Sequence, residues 1–266
     1  MIALLALMFL PTPTPAIEFG CFVNAYECGG MEKWPSVVAE MRAAGMTTAV
    51  ILARSREDLT FQVDTMIDAG MLPREIPMLV IVETSERREP TAPAISGWAV
   101  GEMDGQAAVL REAPLKSRHG PARWPELIPY GPDEPGHGDP NADVSGVKLV
   151  ADGWRALGFR LGTAVEGANV MACIPYLDLI AISASDGYNT GEQVARLRAE
   201  GKHFWVYDHA LPRECSHDLA FHIGRWCALA PEVYLFWSWG RLIDRPKPEL
   251  DEWLAAYKAF VEGIPR

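Results

Sequence analysis

The feature that most constrains the fold of this sequence is a regular alternation, from Ile17 onward, between short apolar runs and longer amphipathic stretches. The short runs are rich in β-branched residues, and several are almost continuously apolar, as strands buried on both faces are. Eight such runs are present: Ile17–Val23, Thr47–Ala53, Pro77–Glu83, Leu127–Gly131, Arg160–Val165, Leu177–Ser183, His203–Tyr207 and Val233–Trp237. The alternation predicts βα units around a parallel sheet.

The amphipathic stretches carry apolar residues at helical spacing. Val37 and Met41, for example, precede Gly45, and glycine is a common residue just past the end of a helix. Gly158 and Gly201 end two further stretches in the same way. The spacing therefore predicts helices between the strands. The long connection from Glu83 to Leu127 contains another predicted helix, around residues 106–112, and we expect this connection to form a wall of the cleft.

Eight βα units in 266 residues predict a single (β/α)8 TIM barrel, an architecture that typically needs about 250 residues. We assign residues 17–266 to this one barrel domain. An open doubly wound sheet uses the same alternation of strands and helices. The absence of a Gly-rich phosphate-binding turn favours the barrel.

Residues 1–16 stand apart from the predicted barrel. Ile2 to Leu10 is an apolar stretch of signal-peptide length, and a Pro-Thr-Pro-Thr-Pro run and Ala16 follow it, but a basic n-region is missing. Two interpretations stay open: a signal peptide of a secreted protein, or an apolar extension packed under the barrel of a cytoplasmic one. No other segment reaches the roughly 18 apolar residues that span a membrane.

Charge and cysteine content exclude several classes of function. The net charge of -11 and the lack of a Lys/Arg run argue against nucleic-acid binding and favour neutral or weakly cationic ligands. Five scattered cysteines, with no CxxC pair, predict neither a disulfide framework nor a zinc site. No Gly-x-Ser-x-Gly, P-loop or His-Glu-x-x-His motif is present. We therefore predict no cofactor and no metal.

Polar and aromatic residues follow nearly every predicted strand, and the active site of a TIM barrel lies at the C-terminal ends of its strands. We predict Glu134, Asp133, Asp208 and Asp186 as catalytic residues. The predicted substrate-binding residues are Asn24, Arg54, Glu83, Glu166, Tyr207, Trp237 and Trp239.

The most informative of these residues are the adjacent carboxylates Asp133 and Glu134, which lie between Pro132 and Pro135 directly after an apolar strand. Neighbouring negative charges repel, and partial burial penalises the ionised form. We therefore expect the pKa of one of the two to be raised, which would place a protonated acid beside an ionised group. The alternative interpretation is a solvated acidic loop or a helix N-cap.

Aromatic residues cluster around the last two predicted strands. Large aromatic faces commonly line ligand pockets, and sugar rings stack on them. Trp237 and Trp239 flank Ser238 at the predicted barrel mouth, which favours a role in ligand binding. Trp205 alternates with Tyr207, and we expect its side chain to belong to the barrel interior.

The turn Gly131-Pro132-Asp133-Glu134-Pro135, taken with Gly224-Arg225-Trp226 and the run from Tyr234 to Trp239, resembles the barrel of family 123 glycoside hydrolases. The resemblance also extends to uncharacterised glycosidase-like barrels with an Asp-Glu-Pro turn after strand four. It covers most of the chain from Ile17 to Gly240, although only these short motifs are specific.

This resemblance implies a retaining, substrate-assisted cleavage of β-linked N-acetylhexosaminides. Glu134 would protonate the leaving oxygen, and Asp133 would orient the 2-acetamido nitrogen. Tyr207 would hydrogen-bond the acetamido oxygen, and Trp237 or Trp239 would line the sugar subsite.

Three other interpretations stay open. In a glycosidase with a protein nucleophile, Asp208 or Asp186 would attack the sugar. In a non-catalytic carbohydrate-binding barrel, the carboxylates would hydrogen-bond sugar hydroxyls. In a metal-dependent hydrolase, His137, Asp139 and Asp186 would be the metal ligands.

Overall fold

The structure, a computed structural model, describes residues 17–83, 100–136, 139, 141–184, 190–208 and 224–236. Within these residues each predicted apolar run coincides with a strand, to within two residues at its ends. The strands are β1 (Glu18–Val23), β2 (Thr48–Ala53), β3 (Met78–Val82), β4 (Leu127–Pro129), β5 (Gly162–Val165), β6 (Leu179–Ser183), β7 (His203–Asp208) and β8 (Val233–Phe236). They form one sheet in the order β4-β3-β2-β1-β8-β7-β6-β5, and each pair of neighbouring strands in this order is parallel.

The two ends of this sheet meet and close it into a barrel. Tyr130, directly after β4, forms a parallel bridge with Gly162 of β5, and the main-chain N–H of Gly131 donates to the Gly162 carbonyl at 2.7 Å. A Cβ atom on Gly162 would lie 2.7 Å from Leu79 and 2.9 Å from Leu179, so only glycine fits this closure. The chain is therefore a single (β/α)8 barrel, as predicted, and not an open doubly wound sheet.

Helices lie in the six connections from β1 to β7. Their bounds are α1 (Trp34–Ala43), α2 (Arg56–Asp68), α3 (Val100–Lys116), α4 (Ser145–Ala156), α5 (Val170–Cys173) and α6 (Thr190–Ala199). Gly45, Gly158 and Gly201 follow α1, α4 and α6 with φ values of 91°, 82° and 64°. These left-handed glycines confirm the predicted helix ends. Helix α3 contains the predicted helix around residue 106.

Alternation along the strands separates two apolar layers. One layer lies inside the barrel and includes Leu79, Ile128, Trp205 and Leu235. The other lies between the strands and the helices, and includes Val206. Trp205 is fully buried in the inner layer, as predicted. Side chains alternate between the two faces of a strand, so Trp205 and Tyr207 point inward while Val206 points outward. We call this alternation the parity of a residue: along β7, odd-numbered residues face inward and even-numbered residues face outward.

Several predictions lie outside the described residues. These include the nature of residues 1–16 and the cleft-wall role of residues 84–99. In the described part of the chain no helix is long and apolar enough to cross a membrane. No disulfide joins the described cysteines, Cys21, Cys28, Cys173 and Cys227.

Candidate active site

The turn that carries Asp133 and Glu134 is attached to the neighbouring strand β5. The Thr163 hydroxyl donates to the Pro132 carbonyl at 2.7 Å, and the main-chain N–H of Glu134 donates to the Ala164 carbonyl at 3.1 Å. Thr163 is fully buried, so its bond is shielded from water. Two hydrogen bonds from successive β5 residues therefore hold this turn at the C-terminal rim of the barrel.

Glu134 itself has a left-handed backbone, with a φ of 42°. A residue with a Cβ atom adopts this conformation at a cost on the order of 1–3 kcal/mol, and such residues cluster at functional sites. The bond to Ala164 and the prolines on either side of the pair contribute to holding the conformation. The strained residue in this turn is thus the one predicted as the acid.

The Asp133 side chain is exposed, and its position is set by Tyr130 from inside the barrel. The Tyr130 hydroxyl donates to Oδ1 of Asp133 at 2.5 Å. Burial of the phenol, and then the negative charge of Asp133, raise the pKa of Tyr130 well above its ordinary value. Tyr130 therefore stays a neutral donor over the whole range in which proteins function.

Glu134 is half-buried and is bound by a different tyrosine. The Tyr207 hydroxyl, on β7, donates to Oε1 of Glu134. Tyr207 is 2% exposed, and burial, followed by the bond to Glu134, raises the pKa of Tyr207 far above its ordinary value. The two adjacent carboxylates thus have separate tyrosine partners. The expected division of the pair into a protonated and an ionised carboxyl group stays a prediction.

A second polar group lies at the ends of β1, β2 and β3, and we call it the β1–β3 rim cluster. The Arg54 guanidinium carbon lies 4.0 Å from the centre of the Tyr26 ring, and its Nε is 3.7 Å from Oε2 of Glu83. The Tyr26 hydroxyl donates to Asp58, and Oδ1 of Asn24 accepts from the Tyr26 main chain at 3.0 Å. The structure therefore brings together Asn24, Arg54 and Glu83, which the sequence predicts as binding residues.

Asp208, the last residue of β7, faces away from the barrel lumen. It follows Tyr207 and has the parity of Val206, so it belongs to the outward face of β7. Its side chain is 2% exposed, and Oδ2 accepts a hydrogen bond from Tyr234, which packs in the outer layer. This placement favours a structural role, and catalysis by Asp208 stays a prediction.

Glu166 directly follows β5 and is half-buried at the start of a short 3-10 turn, where its carbonyl accepts from Asn169 at 3.0 Å. The predicted site residues Asp186, Trp237 and Trp239 lie outside the described residues, as does His137. Across the described ranges, no three or more His, Cys, Asp or Glu side chains are grouped as a metal site requires.

Sequence reasoning did not assign roles to Tyr130, Thr163 and Ser183, although all three contribute to the site. Tyr130 shows a signal, because it has the inward parity of Ile128 and directly precedes the Gly-Pro turn. Ser183, at the end of β6, is the register partner of Tyr207 on β7 and makes a side-chain hydrogen bond with it. No sequence pattern predicts this contact or that of Thr163.

Fold and rim together define a closed (β/α)8 barrel with a carboxylate pair fixed after its fourth strand. No protein-family model and no curated protein matches the chain. Among solved structures, this chain is similar to that of a GH113 β-1,4-mannanase, with 11% sequence identity and a TM-score of 0.53. The match covers 95% of this chain and 100% of the mannanase chain.

Two further structures show the same level of similarity. The Bacillus subtilis mannanase man26 has 11% identity and a TM-score of 0.51 over 85% of this chain and 81% of that one. A tryptophan synthase from M. tuberculosis has 10% identity and a TM-score of 0.53 over 92% and 93%. Because proteins with different reactions match equally well, these similarities show the fold and do not decide the activity.

Proposed function

We propose that this protein is a glycoside hydrolase in which Glu134 is the general acid. The observation that carries the proposal is the fixation of Glu134 at the barrel rim. Its strained backbone is held from β5, and its carboxylate is held by Tyr207 from β7. A general acid must be positioned within hydrogen-bond reach of the oxygen it protonates, and such fixation provides the positioning. The two mannanases show that glycoside hydrolases use this fold.

In the proposed reaction Glu134 transfers a proton to the glycosidic oxygen while the bond from that oxygen to the anomeric carbon breaks. The resulting carboxylate then accepts a proton from the water that completes hydrolysis, so Glu134 is regenerated as the acid. Both steps need one carboxyl group that changes its protonation state at a fixed position.

For the substrate we propose a β-linked N-acetylhexosaminide and a retaining, substrate-assisted mechanism. The 2-acetamido oxygen attacks the anomeric carbon as the glycosidic bond breaks, and Asp133 accepts a hydrogen bond from the acetamido nitrogen. Water then attacks the anomeric carbon and displaces the acetamido oxygen, while Glu134 accepts the proton of that water. The support is the resemblance of the turn to family 123 glycoside hydrolases, together with the exposed side chain of Asp133, which Tyr130 orients. The outward placement of Asp208 supports this mechanism over one in which Asp208 is the nucleophile.

Substrate contacts are proposed on both sides of the pair. The β1–β3 rim cluster offers the half-exposed side chains of Arg54 and Glu83, and planar guanidinium and carboxylate groups suit sugar hydroxyls. Glu166 is proposed at the end of β5. We propose that Trp237 and Trp239 form the apolar face of the sugar subsite, and Asp186 stays an alternative nucleophile.

The test is hydrolysis of aryl glycosides by the wild type and by Glu134→Gln, which keeps the shape of the side chain. The panel contains N-acetyl-β-glucosaminide, β-mannoside and β-glucoside. We expect a loss of about 100-fold or more in kcat for Glu134→Gln. Glu112→Gln is the matched control, because Glu112 lies on α3 and pairs with Arg56 at the surface. Asp133→Asn is expected to reduce cleavage of the N-acetylated substrate more than that of the others.

Comparable activity of the wild type and Glu134→Gln would remove Glu134 from the mechanism. Tight glycan binding without turnover on any substrate would identify a non-catalytic carbohydrate-binding barrel instead.

A further inference from the structure

We infer that Tyr207 is a positioning residue for Glu134, with Ser183 orienting the Tyr207 hydroxyl. Its consequence for catalysis rests on the proposed function of Glu134. Tyr207 is thereby assigned to the catalytic carboxyl group and not to the substrate acetamido group.

Tyr207 and Glu134 are in contact across the mouth of the barrel. Tyr207 is on β7 and Glu134 follows β4, and 73 residues of sequence separate them. The closed barrel places these strands on different sides of the mouth, and the inward parity of Tyr207 directs its ring into the lumen. The bond to Oε1 therefore restrains the Glu134 side chain from a direction that its own turn cannot provide.

The direction of this bond follows from the chemistry of Tyr207. Burial raises the pKa of its phenol, so the hydroxyl keeps its proton at every pH in which the enzyme would work. Ser183 is the register partner of Tyr207 on the neighbouring strand, and its side chain bonds to the same phenol. Because the single hydroxyl proton of Tyr207 is donated to Glu134, the phenol oxygen accepts from Ser183. Ser183, Tyr207 and Glu134 thus form a directed chain from β6 through β7 to the turn after β4.

The hydrogen bond from Tyr207 to Glu134 is stronger after proton transfer than before it. A hydroxyl donates more strongly to an ionised carboxylate than to a neutral acid. When Glu134 loses its proton to the glycosidic oxygen, negative charge develops beside the Tyr207 hydroxyl, and the bond strengthens. Interactions that are stronger in the transition state than in the ground state increase kcat. As long as Tyr207 donates to Oε1, the proton that Glu134 delivers is carried on Oε2.

Other ionisable groups lie on the elements that hold the Glu134 turn. Asp133 precedes it in the turn, Tyr130 enters from β4, and Glu166 follows β5. Tyr207→Phe leaves these groups in place and removes only the hydroxyl that donates to Glu134. Because the ionised carboxylate of Glu134 loses this donor, the substitution should favour the protonated form of Glu134.

The experiment compares the wild type with Tyr207→Phe in 13C-labelled full-length protein. The chemical shift of the Glu134 side-chain carboxyl carbon is measured as a function of pH. Glu134→Gln identifies the resonance. We expect its midpoint to rise by roughly 0.5 to 1 pH unit, because the ionised form loses a donor. In the aryl-glycoside assay we expect kcat to fall about 10-fold or more with KM nearly unchanged, and the alkaline limb of the pH–rate profile to move to higher pH.

Tyr176→Phe is the control, because Tyr176 lies before β6 at the other end of the barrel. It should change neither the titration nor kcat. Ser183→Ala should raise the midpoint of the Glu134 titration by a smaller amount than Tyr207→Phe. If Tyr207→Phe does not fold, Ser183→Ala is the variant that tests the inference.

The outcomes separate the two proposals. An unchanged titration in Tyr207→Phe overturns the positioning role, even if Glu134→Gln is inactive and the proposed function therefore stands. If the titration shifts in Tyr207→Phe but the wild type cleaves no glycoside, the contact is confirmed and the proposed function is overturned.

Discussion

The main-chain N–H of Glu134 donates a 3.1 Å hydrogen bond to the carbonyl oxygen of Ala164, so β5 holds the turn that follows β4. Thr163, the residue before Ala164, binds the Pro132 carbonyl of the same turn at 2.7 Å. The position of the proposed acid therefore depends on a strand that contributes no predicted catalytic side chain. Changes in β5 should affect the site without touching the carboxylates.

The first prediction concerns Thr163. Thr163→Val replaces the hydroxyl by a methyl group of similar size and leaves the Pro132 carbonyl without its buried donor. We expect the free energy of unfolding to fall by about 1–3 kcal/mol. Urea unfolding measures the change. The control is Thr65→Val, because Thr65 bonds to Phe61 on the exposed side of α2, where the loss should be smaller. Equal losses at the two positions would show that the turn does not depend on Thr163.

The second prediction concerns the left-handed backbone of Glu134. At this φ of 42° glycine avoids the Cβ strain that alanine retains, so Glu134→Gly should be at least as stable as Glu134→Ala. At Glu40, in the regular helix α1, the Gly variant should instead be less stable than the Ala variant by about 1 kcal/mol. Thermal unfolding of the four variants checks both comparisons. The same order at both positions would contradict a strained Glu134.

The third prediction is a pH dependence of stability that arises from Tyr26. Burial, followed by the hydrogen bond to Asp58, raises the pKa of Tyr26 from 10.0 to about 12 in the folded protein. A raised pKa means that folding favours the neutral phenol. The contribution is therefore fully present below about pH 10 and is lost as the pH rises toward 12.

The measurement is the difference in unfolding free energy between the wild type and Tyr26→Phe, taken from pH 9 to pH 12 by denaturant titration. We expect the difference to shrink across this range. Absorbance of the tyrosinate should show one fewer group ionising near pH 12 in the variant. A constant difference would mean that Tyr26 ionises alike in the folded and unfolded chain.

The barrel itself was predictable because its signal is local. Runs such as Thr48–Ala53 and Leu179–Ser183 are apolar at nearly every position, and strands buried on both faces require this. The inward position of Trp205 also follows from local alternation, counted along β7. The strand ends differ more from the prediction: β4 ends at Pro129, two residues before the predicted end, although Tyr130 still pairs with Gly162.

The site was predictable only in part. Asp133 and Glu134 are recognisable because they lie between two prolines after an apolar strand. Their two tyrosine partners differ in how far the sequence predicts them. Tyr130 is close in sequence and could be found by parity, whereas the pairing of Tyr207 with Glu134 depends on closure of the whole barrel. The outward face of Asp208 follows from the same alternation along β7 that places Trp205 inside, whereas its hydrogen bond with Tyr234 depends on the pairing of β7 with β8.

The dependence of hydrolysis on the leaving group tests the role of Glu134 most directly. Poor leaving groups need protonation as the glycosidic bond breaks, whereas a dinitrophenolate departs without it. The measurement is kcat/KM of the wild type and Glu134→Gln on aryl N-acetyl-β-glucosaminides whose phenols differ in acidity. We predict a loss of about 100-fold or more on the least acidic phenol, and little loss on the dinitrophenyl glycoside. An equal loss on all substrates would contradict general-acid catalysis by Glu134.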